Sequence, residues 1–397
     1  MISLDLPKER PNDFGKVIDV VREIVEKVRR EGDRALLELT ERFDGVKLSK
    51  IAVKSEELES MASSLPGTAM RAIDVMFDQI WAFQDSIRPP ITWGSRRGIK
   101  WGVLWRPIER VGIYVPGGAK SYPSTLLMAG VTAKVAGVKE IYVATPPSRS
   151  GLNPAIAYSA LKVGVKELYT VGGAQAIAAL AFGTESVKKV DKIVGPGNVY
   201  VQAAKYLVSQ YVGIDGIEGP TELVVIADSS ANPEEVVLDM RAQAEHGKTS
   251  YVVLITTDEG LAKRVAEALT NDDFTYYLKV VKDLNEAIEL ANSIAPEHLS
   301  LHVSNPYQAL NLVNNSGAVT LGRTPPALID YSAGPNHILP TNGWARFKGG
   351  ITVYEFLKPV MVAAAESPSK EVVESAVEIA NLEGFRVHGE SVAKRFL

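Results

Sequence analysis

Five histidines stand in the 397-residue chain, His246, His298, His302, His337 and His388, and several lie beside other groups able to bind a metal or move a proton. The sharpest spacing is that of Gln243 and His246, three residues apart. On a helix this puts both side chains on one face, a turn from each other, so a carboxamide oxygen and a neutral imidazole reach one point in space. Such a pair can hold a metal ion, or it can close a helix end and bond the backbone. Glu297-His298 sets a carboxylate beside a group that titrates near neutrality, a general acid and base pair if both face one ligand. In a regular strand adjacent side chains diverge, so the plain alternative is an exposed glutamate next to a half-buried histidine. Asp330, within Ile329-Asp330-Tyr331-Ser332-Ala333-Gly334-Pro335-Asn336-His337, is either a carboxylate ligand or a turn former. Glu383 and His388 flank Gly384, and spacing alone reads them as surface residues.

The elements that must position these groups follow from apolar periodicity. Residues 223–227 are an apolar run of strand length, and Asn232-Pro233-Glu234-Glu235 supplies an N-cap, a proline at the first helical position and an acidic first turn. Val236, Val237, Met240 and Ala244 make the inward stripe of that helix, and Gly247 ends it, which places Gln243 and His246 in its last turn. Upstream, Val17, Val21, Ile24 and Val28 keep a helical period, Ala35, Leu36 and Leu39 continue it after Gly32, and residues 68–86 form a further helix stopped by Pro89-Pro90. Residues 100–118 hold two short strand patterns ending at Pro116-Gly117-Gly118. Strands at 140–144, 167–171 and 192–194 then alternate with helices at 122–136, 154–163 and 175–182. A second alternation runs through strands at 251–256, 275–281 and 298–303. Repeated strand and helix alternation predicts an α/β protein with parallel sheets covered on both faces. Gly172-Gly173-Ala174-Gln175 and Gly195-Pro196-Gly197-Asn198 lie between strand and helix, where backbone amides can approach a phosphate, yet neither fits G-x-G-x-x-G or the P-loop pattern. Residues 370–381 and 390–396 read as amphipathic helices of a tail too short for its own core.

Length predicts two or three domains. Hydrophobic residues make up 46%, charged residues 23%, and the net charge is −4, so there is no basic footprint for nucleic acid or anionic membrane. The absence of cysteine excludes disulfides and thiolate sites and leaves His, carboxylate and amide ligands for any metal. MISLDLPKERPNDF has no apolar signal core and no run reaches the ~18 residues that span a bilayer, so the cytosol is expected.

In order along the chain, RPIERVGIYVPGG, VGGAQAIAALAFGTESV, VDKIVGPGN, GPTELVVIADSSA, QAEHG, PEHL and AGPNHILPT, with Glu383 and His388 in the tail, resemble the histidinol dehydrogenase family. The resemblance implies two Rossmann-like parallel-sheet domains without GxGxxG, one from residues 1–108 with 216–340, including the N-terminal helices, and one from residues 109–215. Residues 341–397 would be a helical tail packing on the partner subunit of a domain-swapped homodimer. It also implies one zinc ion per subunit, held by Gln243, His246, Asp330 and His388, the last from the partner, and ligating the substrate through its imidazole and amino nitrogens. The implied reaction is the oxidation of L-histidinol to L-histidine through bound L-histidinal, with two hydride transfers to NAD. His298 would take the alcohol proton and Glu297 would activate water. Thr221, Gln243, His246, His298, Asp330, Glu383 and His388 match substrate contacts, and Tyr114, Gln175 and Asn198 match contacts to NAD. Thr221 stands where serine is usual, Glu218 replaces a common alanine, Trp344 and RFKGG depart from a threonine- and serine-rich loop, and the chain is shorter than many relatives between Leu269 and Pro296. The rival expectations are a metal-dependent hydrolase or a non-catalytic binding protein on the same scaffold, and oxidation of a related amino alcohol.

Overall fold

The computed structural model of the protein describes residues 2–3, 14–117 and 120–397. Gly118 of the Pro-Gly-Gly turn and most of the opening segment MISLDLPKERPNDF lie outside the described residues. Contacts divide the chain into two units, one formed by the residues up to Ile87 with Ile108–Phe356, the other by Arg88–Pro107 with Leu357–Leu397.

The larger unit is built on two six-stranded sheets. One runs in the order Ile2–Ser3, Tyr276–Val280, Tyr251–Thr256, Glu222–Ala227, His298–His302, Ala318–Leu321, with every pair parallel. Its central strand is buried along its whole length, and alternate side chains serve opposite faces. Leu223, Val225 and Ala227 join Val236 and Met240 of the helix Pro233–Ala244, whereas Val224 and Ile226 join Ile288 and Ala291 of the helix Leu284–Ile294. A continuous apolar run is what a strand covered on both faces requires.

The second sheet runs Ala52–Val53, Glu167–Tyr169, Glu140–Ala144, Arg110–Tyr114, Lys192–Val194, Gly213–Ile214, parallel except at Ala52–Val53. The chain lays strands outward on one side of Arg110–Tyr114 and then returns to its other side. The crevice at the carboxyl ends of Arg110–Tyr114 and Lys192–Val194 is therefore a topological switch point, where open α/β sheets bind ligands. The helix Pro123–Ala136 follows the central strand, with proline in its first turn and nearly all of its residues buried.

The smaller unit is an antiparallel sheet of Thr92–Arg96, Ile99–Pro107 and Leu357–Ala365, with the helices Lys370–Leu382 and Arg386–Phe396.

Two expected boundaries are corrected. The N-terminal helices Phe14–Glu31 and Asp33–Asp44 do not belong with residues 216–340: Val21, Ile24, Val25 and Leu36 share a core with Ile177, Leu180 and Val208, which lie on the helices Gly173–Phe182 and Val199–Val208 of the 109–215 region. Residues 88–107 leave the first domain and pair with the tail from Leu357, which thereby gains a sheet of its own, while residues 341–356 stay with the larger unit. Both outcomes depend on long-range pairing, which local periodicity does not encode. Among the described residues, no helix is long and apolar enough to cross a membrane.

Candidate active site

Thr221 and Glu222 open the strand Glu222–Ala227, and Glu297 and His298 open its neighbour, with Leu223 paired to His298 in the register. The two strand starts therefore lie side by side. A fixed hydrogen-bond relay connects them. Gln243 Nε2 donates to Thr221 Oγ1, Thr221 Oγ1 donates to Glu297 Oε2 (2.6 Å), and the Glu222 amide donates to the same oxygen (2.8 Å). The divergence expected of adjacent strand residues is avoided because Glu297 precedes the strand, after Ala295 in a left-handed conformation (φ 52°).

Electrostatics separates the roles of the two neighbours. Burial pushes the Glu297 carboxyl up to about 8, against the two donors that favour its ionised form. Burial pushes the His298 imidazole down to about 3, with repulsion from His337 and His246 adding to it. His298 is thus neutral, its Nδ1 buried without a hydrogen-bond partner and its Nε2 3.7 Å from Asp330 Oδ1. Asp330, in the helix Pro326–Tyr331, is raised to about 6 by burial.

Gln243, His246 and Asp330 line one cavity of about 490 Å³, together with Tyr122 and Pro123 at the head of the buried helix. Burial, then Lys120, lowers His246, which favours the neutral imidazole a metal needs. Because Gln243 gives its nitrogen to Thr221, its oxygen is the atom left to ligate. An amide oxygen, a neutral imidazole and a buried, poorly compensated carboxyl fit a zinc ion's donor preferences. Among the described residues, no three His, Cys, Asp or Glu side chains converge as a metal group. His388, the fourth expected ligand, and Glu383 belong to the smaller unit, where both line a cavity of about 520 Å³ with Phe385.

The three residues matched to nucleotide contacts lie around the switch point of the second sheet. Tyr114 ends the central strand, and its hydroxyl accepts the Gly173 amide (3.1 Å). Gln175 is buried at the head of the helix Gly173–Phe182, and Asn198 caps Val199–Val208 by accepting from Tyr200 and Val201 (both 3.1 Å). The chain must be glycine at Gly195, where φ is +123° and a Cβ would lie 2.1 Å from the Tyr114 carbonyl oxygen. Strand-to-helix turns of this kind are places where backbone amides can meet a phosphate, although the usual fingerprint is absent.

Spacing missed two supporting residues. Glu222, buried in a strand, accepts the amides of Glu297 (3.1 Å) and Asn342 (2.8 Å). His337, whose Nδ1 lies 2.8 Å from the Asp330 carbonyl and whose Nε2 lies 3.4 Å from Thr125 Oγ1, fixes the segment carrying Asp330. Burial pushes this imidazole down to about 4. A charged residue inside an apolar strand was the available signal for Glu222; for His337, only its place in the Asp330 loop pointed to the site.

A sequence model described as histidinol dehydrogenase matches residues 8–396. A histidinol dehydrogenase of Saccharolobus solfataricus is 59% identical over 397 residues, covering 100% of both chains. One from a Synechococcus species is 44% identical, covering 94% of this chain and 91% of its own. The crystal structure of histidinol dehydrogenase from Elizabethkingia anophelis superposes with a TM-score of 0.92 at 34% identity, over 99% of this chain and 97% of that one. An acetylating aldehyde dehydrogenase of Geobacillus thermoglucosidasius, at TM-score 0.53 and 15% identity, covers 90% of this chain and 100% of its own and shares the fold alone. With its site geometry and these full-length likenesses taken together, the chain belongs to the histidinol dehydrogenase family.

Proposed function

We propose that the protein oxidises L-histidinol to L-histidine in two hydride transfers to NAD, using one zinc ion per subunit and retaining the aldehyde between the steps, as a cytosolic homodimer. The observation that carries this reading is a neutral His298 beside a Glu297 that is held by Thr221 of the neighbouring strand start, in a larger unit whose cavity also presents Gln243, His246 and Asp330. Bound zinc would orient the substrate through its imidazole and amino nitrogens, and bound NAD would accept the hydrides.

The residues of the chain do the proton work. Neutral His298 accepts the alcohol proton as the carbinol C–H leaves as hydride. Glu297, in its ionised form, then takes a proton from water as the water oxygen adds to the aldehyde, and the His298 imidazolium returns its proton to the former carbonyl oxygen, giving the hydrate and a neutral His298. A carboxyl raised to about 8 is a stronger base than an exposed one once ionised, so this step should quicken as pH rises through about 8. His298 accepts the hydrate's hydroxyl proton as the second hydride departs, leaving the carboxylic acid of histidine. Tyr114, Gln175 and Asn198 seat the nucleotide, and Thr221 keeps Glu297 aimed.

His388 and Glu383 complete the site from the partner subunit in this reading. The smaller unit supports it by leaving Met361 (73%), Leu382 (74%) and Val387 (74%) exposed, which suits a surface covered by another chain.

Purified protein loaded with zinc should release two NADH per L-histidinol, and a chelator should abolish this. No NADH absorbance after zinc is restored, or histidinol binding without turnover, would overturn the proposal in favour of a binding protein or hydrolase.

A further inference from the structure

Lys205 is a fully buried lysine that the chemistry above does not use. It belongs to the helix Val199–Val208, directly after the Gly195–Asn198 turn. Each of its ammonium hydrogens has a partner: Asp215 Oδ1 (2.5 Å), Glu218 Oε2 (2.9 Å) and the Gly195 carbonyl (3.1 Å). Asp215 Oδ2 in turn accepts the Gly195 amide (2.7 Å), so both polar backbone groups of that glycine are held by the cluster. Burial works against the lysine's charge, and Asp215 and Glu218 overcome it, leaving its pKa raised.

One turn earlier on the helix, Gln202 makes a second strut. Its Oε1 accepts the Glu218 amide (3.0 Å), and its Nε2 donates to the Gly197 carbonyl (3.3 Å). Lys348, in the segment where the sequence departs from the family pattern, donates to the Asp215 carbonyl. The Gly219 amide donates to Thr341 Oγ1 (2.5 Å), and two residues later Thr221 holds Glu297. A continuous set of bonds thus joins the turn that ends in Asn198 to the segment that ends in Thr221.

We propose that Lys205 and Gln202, with Asp215 and Glu218, are positioning residues that couple the cofactor turn to the substrate segment, so that loosening the cluster weakens binding of NAD and of histidinol together. The inference rests on the cofactor and substrate placements proposed above. An ion cluster that serves stability alone can be replaced by neutral side chains of similar size without loss. A positioning cluster cannot, because displacing the turn by a fraction of an ångström misplaces both ligands.

The test is steady-state kinetics of the zinc-loaded dimer carrying Lys205→Met, Asp215→Asn and Glu218→Gln together. A folded triple variant should show KM for NAD and KM for histidinol each raised about fivefold or more, with kcat changed about threefold or less. Wild-type values of both KM in the folded variant would overturn the coupling. Glu218→Ala removes one of the three partners that fix Lys205 against Gly195, so it should raise KM for histidinol and KM for NAD each about threefold. If the triple variant does not fold, this single variant decides, and an unchanged KM for either ligand overturns the proposal. Asn198→Ala separates the two readings. A raised KM for NAD there, with wild-type values in the cluster variants, removes the coupling and leaves the cofactor placement standing. An unchanged KM for NAD there, with both raised in the triple variant, removes the Asn198 placement and supports the coupling.

Discussion

At the scale of single residues, burial assigns the roles. His298 and His246 are both imidazoles kept neutral by burial, but only His298 stands at a strand start beside Glu297. His298→Asn should lower kcat by about 10²- to 10⁴-fold while zinc content stays at wild type, as measured by metal analysis alongside NADH formation. His246→Asn should lose metal and substrate binding together, and unchanged metal content would remove it from the ligand set. Glu297 gives a stability prediction with a definite sign. Its folded pKa of about 8 lies above the ordinary 4.5, so the folded chain binds the extra proton between those values. The contribution is whole below about pH 4.5 and is lost as pH rises through about 8. The Tm of the zinc-free protein should therefore fall more steeply across that window than the Tm of Glu297→Gln. Parallel profiles would show that Glu297 is not buried as the structure has it. Thr221 explains why threonine can stand for serine: the relay uses its hydroxyl, so Thr221→Ser should keep activity within a fewfold and Thr221→Val should not.

At the scale of elements, the site is assembled from ends. Strand starts bring Thr221 and Glu297 together, a helix end presents Gln243, the turn just beyond that end presents His246, which the sequence placed in the last helical turn, and a strand-to-helix turn presents Asn198. The Gln243 helix begins with Asn232, whose side chain accepts the Glu234 amide (3.0 Å). Asn232→Ala should cost about 1 kcal/mol in denaturant unfolding and leave KM values near wild type, because the cap lies at the opposite end from Gln243. Gly195→Ala should be far more damaging, about 3 kcal/mol or more, since both its φ and the Tyr114 carbonyl exclude a side chain. Much of this level was legible in the sequence. Apolar period and caps locate the helices at 14–31, 33–44 and 233–244 because those signals are local. The strand Leu357–Ala365 carries no such local signal, because its partner is the distant strand Ile99–Pro107.

At the scale of the whole molecule, the question is how two units make one enzyme. Subunit mixing answers it: a His388→Ala chain combined with a Glu297→Gln, His298→Asn chain should recover activity, because one of the two mixed sites then has every group intact. Verified heterodimers with no recovery would show that the smaller unit is not donated across the dimer.

The sequence by itself determined the α/β class, the strand Glu222–Ala227 and the helix after it that carries Gln243, and, through ordered motifs, the family. These rest on local periodicity and on residue types that one chemistry needs. Only the tertiary structure decided that residues 88–107 join the tail, that the N-terminal helices cover the second sheet, and that Thr221 links Gln243 to Glu297. It also showed Glu218, an unexplained departure in the sequence, closing a buried cluster with Lys205 and Asp215. Each of these depends on residues far apart in the chain meeting in a water-poor interior, where desolvation sets protonation and every polar atom must find a partner.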